Sequence, residues 1–334
     1  MKAISLPEYQ GNIIRALRSL HLIDIDTPEI KNDEVLVQVT AAPCNPSDLA
    51  FIQGGYNVRK KLPAIPGFEG TGIVTESGDG SLATALKGKK VSFFSQSDTI
   101  GSWASHIPVK ADDCIVVKDE LPSEMAACFS VNPFTAYALV ELAKGENAGA
   151  IIQNAAGGQV ARFINILGER AGIDVINIVR KEEQIPLLQK DGYRHILLQQ
   201  DDEFADKLSD LANKHGANIA FDAVGGDQSG CILRSMPEGS ILYLYGALGA
   251  RTLSEIPASD IIFKKKVVRG FNMNEWKEEL GRDEFDAVSR ELQSLFLKGI
   301  LKTQIQGSYK LEDFNQAIMQ YIRNMSGGKV LLLP

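Results

Sequence analysis

The chain has 334 residues, 44% of them hydrophobic and 23% charged, and 35 Lys and Arg against 42 Asp and Glu give a formal net charge of -7. This composition excludes a disordered chain and a collagen-like repeat, and the length predicts about two domains. The acidic balance argues against a nucleic-acid-binding protein, which needs positive charge to offset phosphates. No stretch reaches the roughly 18 consecutive apolar residues of a membrane span, and no signal peptide is visible in MKAISLPEYQ, so we expect a cytoplasmic protein.

Cysteine and histidine are scarce and scattered along the chain. The 4 Cys and 4 His show no C-x-x-C pair and no short Cys–His spacing. Zinc ligands usually stand close together in sequence, and disulfide frameworks are typical of small secreted domains. We therefore predict structural thiols in a reducing compartment and no metal; ligation by residues that only the fold brings together is the lesser alternative. The positions are Cys44, Cys114, Cys128, Cys231, His21, His106, His195 and His215.

From the N-terminus to residue 121 the pattern predicts short strands joined by turns. Apolar and polar residues alternate over 34–42 and, less regularly, over 70–78 and 88–96. Proline and glycine mark the joints, as at Gly54-Gly55 and Pro66-Gly67. These features predict a twisted, mostly antiparallel β unit.

After Pro122 helices alternate with apolar strands, which is typical of βαβ units and a parallel sheet. We therefore expect a β-rich unit, an inserted parallel α/β unit over 122–298, and a return of 299–334 to the first unit, which begins with 1–121. The predicted helices are 123–143, with a break or start at Pro133, then 160–172, 203–216 and 283–299. The predicted strands are 148–153, 173–180, 195–199, 218–224 and 240–247, and the tail KVLLLP is strand-like.

The segment 150–183 carries a nucleotide-binding pattern. A buried strand leads into Ala155-Ala156-Gly157-Gly158, a helix follows from Gln159, and a second strand ends at Arg180. Small residues at such a turn let backbone N–H groups and the helix N-terminus approach a pyrophosphate. An acidic residue after the second strand would bind a ribose 2′-hydroxyl, whereas Arg180 suits a 2′-phosphate, which predicts NADPH. The alternative for Arg180 is a solvated, charged start of the next helix.

Several further segments together resemble the medium-chain dehydrogenase/reductase superfamily over nearly the whole chain. The resemblance implies an α/β protein with a GroES-like β-rich catalytic domain (1–121 and 299–334) and a Rossmann domain, a doubly wound parallel sheet that binds NADPH (122–298). Zinc-dependent members carry a Cys and a His where this sequence has Asn45 and Phe68, so the resemblance points to a zinc-free branch. The segments are VTAAPCNPSDL (39–49), LPAIPGFEGTG (62–72), GSWASH (101–106), VNPFTAY (131–137), FDAVGG (221–226) and GGKVLLLP (327–334).

Two zinc-free families match best. AAPCNPSDLAFIQGGY (41–56) and IIFKKKVVRGFNMNEW (261–276) resemble mitochondrial-type 2-enoyl thioester reductases, and the general plan resembles quinone oxidoreductases. The resemblance implies an NADPH-dependent enzyme that reduces an activated C=C or a quinone, with Tyr56 as proton donor or carbonyl-polarising group. The alternative for Tyr56 is a surface residue that packs beside Pro63. A non-enzymatic, dinucleotide-binding redox sensor remains open because Gln159 replaces the usual small residue.

The remaining predicted site residues are expected to contact the cofactor or the acceptor. Asn45 is expected to bind the nicotinamide ribose or the acceptor, with a turn residue before Pro46 as the alternative. Thr135 is expected near the nicotinamide amide, with helix capping or packing as the alternative. The predicted cofactor-binding set is Asn45, Thr135, Ala156, Gly157, Gly158, Gln159, Arg180, Gly246, Phe271 and Asn272.

Two surface features complete the sequence-based expectations. Lys264-Lys265-Lys266 is most simply a solvated run, although a phosphate of CoA or a carrier protein would also suit it. Relatives often dimerise through edge strands of the Rossmann sheet, so we expect a homodimer in which the apolar segment 240–245 adds strand to strand.

Overall fold

The computed structural model describes residues 1–98 and 100–334. The chain divides into two compact units: unit 1 comprises Met1–Asn132 and Asp286–Pro334, and unit 2 comprises Pro133–Phe285. The strands are β1 (Lys2–Ser5), β2 (His21–Asp24), β3 (Glu34–Pro43), β4 (Glu69–Ser77), β5 (Lys90–Phe94), β6 (His106–Lys110), β7 (Cys114–Val116), β8 (Ala150–Gln153), β9 (Asp174–Val179), β10 (His195–Leu198), β11 (Ile219–Asp222), β12 (Ile241–Leu244), β13 (Val267–Gly270), β14 (Ile305–Lys310) and β15 (Lys329–Leu333). The helices are α1 (Ile13–Ser19), α2 (Pro46–Ile52), α3 (Ser81–Leu86), α4 (Ser123–Ala127), α5 (Asn132–Gly145), α6 (Gln159–Arg170), α7 (Ile185–Lys190), α8 (Phe204–His215), α9 (Asp227–Ser235), α10 (Ala258–Ile262), α11 (Met273–Leu280), α12 (Arg282–Leu297) and α13 (Phe314–Arg323).

Unit 2 is built on a parallel sheet with the strand order β10-β9-β8-β11-β12-β13. Counted from the first strand of the unit, this is the order 3-2-1-4-5-6 of a doubly wound Rossmann sheet. The order reverses between β8 and β11, and ligands of such sheets bind at the carboxyl ends of the strands beside that point. The predicted Rossmann fold is confirmed.

Unit 1 is built on a sheet with the order β14-β15-β3-β4-β5-β7, and β6 pairs with the free length of β3. All described pairings in this sheet are antiparallel except that of β14 with β15. The antiparallel pairing of β15 with β3 joins the C-terminal segment to the sheet. Its core holds large side chains that are fully buried, including Phe51, Phe68, Phe93 and Trp103. The predicted β-rich unit with a C-terminal return is thus present.

Local sequence signals explain where several helices begin and end. Pro46 occupies the first turn of α2, where its missing N–H costs nothing, and the Asn45 N–H is bound by the side chain of Asp48. Gly216 ends α8 in the left-handed conformation with φ 63°, which glycine adopts without strain. The predicted helix 123–143 is interrupted, since α4 and α5 are separate helices and α5 begins one residue before Pro133.

The compact units divide the chain at different positions from the predicted boundaries after 121 and 298. Helix α4 packs against β3 and β4, so the chain leaves unit 1 only after Asn132. Most of α12 also belongs to unit 1, because Gln293 hydrogen-bonds the backbone of Val116 and Lys118 in and beyond β7. Long-range pairing of this kind leaves no mark in the local sequence pattern.

One surface expectation is wrong, and a second, the solvated lysine run, is wrong for Lys266 but right for Lys264 and Lys265, which are exposed. The segment 240–245 contains β12, which lies between β11 and β13 and is therefore not an edge strand. The edge strand on that side is β13, which was not predicted because charged residues surround it in sequence. Lys266 is 2% exposed and does not belong to a solvated run. Its ammonium donates to the carbonyl oxygens of Leu233 at 2.7 Å and Arg234 at 3.0 Å and pairs with Asp260 at 3.3 Å.

Among the described residues, no helix combines the length and the apolar character that crossing a membrane requires.

Candidate active site

The predicted pyrophosphate turn of unit 2 connects β8 to α6. The Gly158 N–H donates to the Ala155 oxygen at 2.7 Å, and the Ala156 N–H donates to the Ile178 oxygen of β9 at 3.2 Å. Ala155 adopts φ 48°, a conformation that disfavours any side chain. Gly158 is the N-cap of α6, so Gln159 and its successors present first-turn N–H groups that have no acceptor within the helix. Within this turn, Ala156 and Gly157 are buried.

A buried polar network that the sequence analysis missed fixes this turn to β11. Asn154, fully buried, donates from Nδ2 to the Asp222 carboxylate at 2.5 Å and accepts from the Ala223 N–H at 2.8 Å. The same carboxylate accepts from the N–H groups of Val224 at 2.8 Å and Gly225 at 3.0 Å. The network joins the carboxyl ends of the two strands at which the sheet order reverses. Its only sequence signal was FDAVGG, which was noted as a resemblance without a role.

Arg180 follows β9 directly and is exposed. Within 1–98 and 100–334, no carboxylate lies within ion-pair distance of its guanidinium. Its neighbour Lys181 pairs instead with Glu183 at 3.1 Å. An exposed guanidinium that is not neutralised by the protein is suited to bind a phosphate group.

The other predicted cofactor-binding positions of unit 2 are at carboxyl ends of strands or on α5. A side-chain carbon on Gly246, beyond β12, would lie 2.9 Å from the Ala223 oxygen, so this close approach requires glycine. Phe271 continues the pairing of β13 by donating to the Leu244 oxygen at 2.9 Å. Asn272 caps α11 by accepting from the Asn274 N–H at 3.0 Å. Thr135 is buried in the first turn of α5.

In unit 1, Tyr56 follows α2 and packs its ring on Phe68, with the ring centroids 5.2 Å apart. Gln96 donates from Nε2 to the Tyr56 hydroxyl oxygen at 3.0 Å. Because the oxygen accepts this bond, the phenolic hydrogen remains available for an acceptor. Burial, and secondarily the charge of Asp48, raise the pKa of Tyr56, so the phenol stays protonated at neutral pH. The ring is only partly buried, as a surface position would be, and packs on Phe68.

Asn45 is 7% exposed and lies in a network of buried charges. Its Nδ2 donates to Glu69 at 3.0 Å, and its Oδ1 accepts from the ammonium of Lys329. Glu69 also accepts from the Val131 N–H at 3.1 Å. Burial raises the pKa of Glu69, and the charge of Lys329 opposes this effect. The amide of Asn45 therefore holds β4 and β15 to the start of α2, and one of its N–H bonds is left for a ligand.

Two titratable groups near Tyr56 were missed by the sequence analysis. Burial raises the pKa of Asp48 to about 7 and lowers the pKa of Lys60 to about 8. The Lys60 ammonium lies 5.7 Å from the centroid of the Phe68 ring, whose neighbour is Tyr56. Asp48 appeared in the sequence only as part of a matching segment, and Lys60 lies in none of the matching segments. Both groups change charge close to neutral pH, which is uncommon for a structural position.

Comparison with known proteins agrees with this architecture. Residues 31–119 match the family described as alcohol dehydrogenase GroES-like domain, and residues 141–294 match the family described as zinc-binding dehydrogenase. A GroES-like unit with a Rossmann unit defines a class of dehydrogenases and reductases. The chain belongs to this class, the medium-chain dehydrogenase/reductase superfamily, as the sequence resemblance predicted.

Individual relatives fall in both of the zinc-free families considered. The mitochondrial enoyl-[acyl-carrier-protein] reductase of Dictyostelium discoideum is 30% identical, over 92% of this chain and 88% of that protein. The Homo sapiens protein of the same name is 27% identical, over 94% of this chain and 84% of its own. Among solved structures, a Mesorhizobium loti protein assigned as an NADPH:quinone reductase is 30% identical with a TM-score of 0.92, and the match covers 100% of this chain and 98% of that one.

The family description implies zinc, but the residues around Asn45 do not fit it. A catalytic zinc takes three protein ligands with a free electron pair or negative charge. Here Phe68 provides none, burial raises the pKa of the Cys44 thiol and keeps it neutral, and the ammonium of Lys329 already supplies the positive charge beside Asn45. Among the described residues near Cys44, no three candidate ligands bring their atoms together.

Proposed function

We propose that the protein reduces a 2-enoyl thioester with NADPH and without a metal. The observation that carries this proposal is the Tyr56 phenol, which accepts from Gln96 and keeps its own hydrogen for a substrate oxygen. The relatives named as enoyl-[acyl-carrier-protein] reductases support the choice of acceptor. The alternative, a redox sensor without catalysis, would give no reason for a protonated phenol held in this way.

The chain's own residues stabilise charge on the acceptor. Bound NADPH would supply a hydride to the β carbon of the enoyl group. Negative charge then develops on the thioester oxygen, and a hydrogen bond from Tyr56 stabilises this enolate. The raised pKa of Tyr56 favours this role over that of proton donor, because the phenol is a weak acid that stays protonated. The proton for the α carbon can come from water.

Unit 2 has the features that a bound NADPH needs, and we propose it as the nucleotide-binding domain, with unit 1 as the catalytic domain. The turn at Ala156, Gly157 and Gly158 and the N-terminus of α6 would bind the pyrophosphate. Arg180 would bind the 2′-phosphate. Gly246 would line the nicotinamide half, since it lies against Ala223 just beyond the carboxyl end of β11. The backbone of Phe271 would line it from the carboxyl end of β13. These roles, and those of Asn45, Thr135, Gln159 and Asn272, remain predictions.

A quinone is the second candidate acceptor. Its support is the Mesorhizobium loti structure, which is as similar in sequence as the first enoyl reductase relative. The hydrogen bond from Tyr56 would stabilise a quinone oxygen as it gains charge in the same way. Steady-state NADPH oxidation with crotonyl-CoA and with a simple benzoquinone distinguishes the two.

The deciding experiment compares Tyr56→Phe with Tyr309→Phe on both acceptors. Tyr309 also hydrogen-bonds a glutamine, Gln320, and is also partly buried in unit 1, so its variant controls for loss of such a pair. We expect kcat/KM for crotonyl-CoA to fall about 100-fold in Tyr56→Phe, as for loss of one oxyanion donor, and to stay unchanged in Tyr309→Phe. Unchanged enoyl reduction in Tyr56→Phe contradicts the assignment. NADPH binding without reduction of either acceptor would favour the redox sensor.

We also propose a homodimer and keep the cytoplasmic location as a prediction. Among the described strands, β13 pairs with β12 alone, and its unpaired side can add a second copy by strand addition. Light scattering that gives the single-chain mass of 36.4 kDa at micromolar concentration would contradict the dimer.

A further inference from the structure

Three side chains that the proposed reaction does not use meet at one edge of the unit 2 sheet. Asp174 is the first residue of β9, His195 is the first residue of β10, and His215 is the last residue of α8. Since β9 and β10 are parallel neighbours, these residues lie at the amino ends of the strands. The proposed nucleotide site lies at the opposite, carboxyl edge of the sheet.

The three side chains are close enough to share one ion. Their candidate ligand atoms all lie within 4.8 Å of one another. His215 Nδ1 is 3.4 Å from Asp174 Oδ2, and the rings of His195 and His215 have centroids 4.5 Å apart. Bonds of about 2.0–2.2 Å in a tetrahedral zinc site place ligand atoms roughly 3.4 Å apart. The first pair already has this spacing, and small side-chain rotations would bring in His195.

The protein by itself leaves this cluster incomplete. The Nε2 atom of His215 is buried and has no hydrogen-bond partner among the described residues. Nδ1 is the nitrogen that faces Asp174, so an ion shared with Asp174 would bind Nδ1 and not Nε2, and the described residues give this ring only the one polar contact, at 3.4 Å. The Asp174 side chain is 45% exposed, so an ion can reach the cluster from solvent.

We propose that Asp174, His195 and His215 bind a divalent transition-metal ion of the zinc class. Two imidazoles and one carboxylate suit Zn²⁺, Co²⁺, Ni²⁺ or Cu²⁺ and disfavour Mg²⁺ and Ca²⁺, which prefer oxygen ligands. Three protein ligands leave a fourth position for water. The ion would link β9, β10 and α8 at the sheet edge, and its role is structural or regulatory, since it lies away from the proposed reaction.

The test is titration of tag-free, chelator-treated protein with Zn²⁺ by calorimetry and with Co²⁺ by visible absorption. The half-buried thiol of Cys231 is replaced in every sample by Cys231→Ser, so that it cannot bind the ion. The variants are Asp174→Asn, His195→Gln and His215→Gln, and the control is His21→Gln, which alters an exposed histidine of unit 1. Circular dichroism confirms that each variant is folded.

We expect one ion per chain in the parent and in His21→Gln, with the visible bands of tetrahedral cobalt and a raised melting temperature. Each of the three ligand variants should weaken binding at least ~10-fold, since loss of a group that merely orients a ligand already costs that much. Equal affinity and stoichiometry in the folded ligand variants would overturn the proposal. So would the absence of Zn²⁺ and Co²⁺ binding to the parent.

Discussion

Gln96 donates a hydrogen bond from Nε2 to the hydroxyl oxygen of Tyr56 across 3.0 Å. Because the Tyr56 oxygen is the acceptor in this bond, the phenolic hydrogen can be donated to another group. A neutral amide donor leaves the hydrogen free for a substrate, whereas an acceptor at the same position would engage it. The identity of residue 96 therefore controls what Tyr56 can offer.

Substitutions of Gln96 should reduce enoyl thioester reduction in a defined order. Gln96→Leu removes the neutral hydrogen bond to Tyr56, worth about 1 kcal/mol, and should lower kcat about 5-fold. Gln96→Glu places a carboxylate that accepts from Tyr56 and should lower kcat more than Gln96→Leu. In a Tyr56→Phe background both substitutions should have no further effect. Equal losses in the presence and absence of the Tyr56 hydroxyl would show that Gln96 acts only through packing.

Arg180→Ala should weaken NADPH binding about 10- to 100-fold, since a charge-assisted hydrogen bond to a phosphate contributes about 1.5–3 kcal/mol. NADH lacks the 2′-phosphate, so its dissociation constant should not change. Both constants can be measured by fluorescence titration. The control is Arg170→Ala, which removes the same charge from an exposed position at the C-terminus of α6, away from the pyrophosphate turn at its N-terminus. It should change the dissociation constant of neither nucleotide. Parallel losses for NADPH and NADH would contradict the assignment.

Asp48→Asn should stabilise the protein more at pH 8 than at pH 5. Burial raises the pKa of Asp48 to about 7 from its ordinary 3.8. A raised carboxyl pKa means that the stability associated with the protonated form is complete below about pH 4 and is lost as the pH rises through 7. Asparagine mimics the protonated form at every pH, so the variant avoids this loss. The difference between the two pH values should be about 3 kcal/mol, since two pH units of the linked loss lie between pH 5 and the raised pKa.

Urea denaturation at the two pH values measures this effect. The matched control is Asp33→Asn, which alters an exposed residue of unit 1. Its free energy of unfolding should differ from that of the parent by the same small amount at pH 5 and at pH 8. If the advantage of Asp48→Asn does not grow between pH 5 and pH 8, the carboxyl of Asp48 does not titrate in that range.

The sequence predicted those parts of the molecule that depend on local patterns. Apolar runs and the small residues before Gln159 were sufficient to predict β8, α6 and β9, because strand, turn and helix are contiguous there. Arg180 was predicted at the end of the second strand for the same reason, and it directly follows β9.

The contacts between distant segments could not be predicted in this way. Asn154 meets Asp222 only because β8 and β11 are neighbours in the sheet, and 68 residues separate the two side chains. Lys266 is adjacent to two lysines in sequence, and its burial follows from carbonyl oxygens at the end of α9. The charge network of Asn45 likewise needs Lys329, which is 284 residues away. A pattern in one sequence cannot indicate such partners.

Gly246→Ala should lower the free energy of unfolding of unit 2, because the added carbon would lie 2.9 Å from the Ala223 oxygen and 3.3 Å from its α carbon. Both contacts are with backbone, so relief requires a shift of the strand ends, at a cost of about 1–3 kcal/mol. Gly270→Ala is the control, since the added carbon meets nothing within 4 Å there. Urea denaturation followed by far-ultraviolet circular dichroism measures both variants. Equal stability of the two variants would show that the approach of β11 and β12 at Ala223 tolerates a side chain, and would remove the packing reason for glycine at this position.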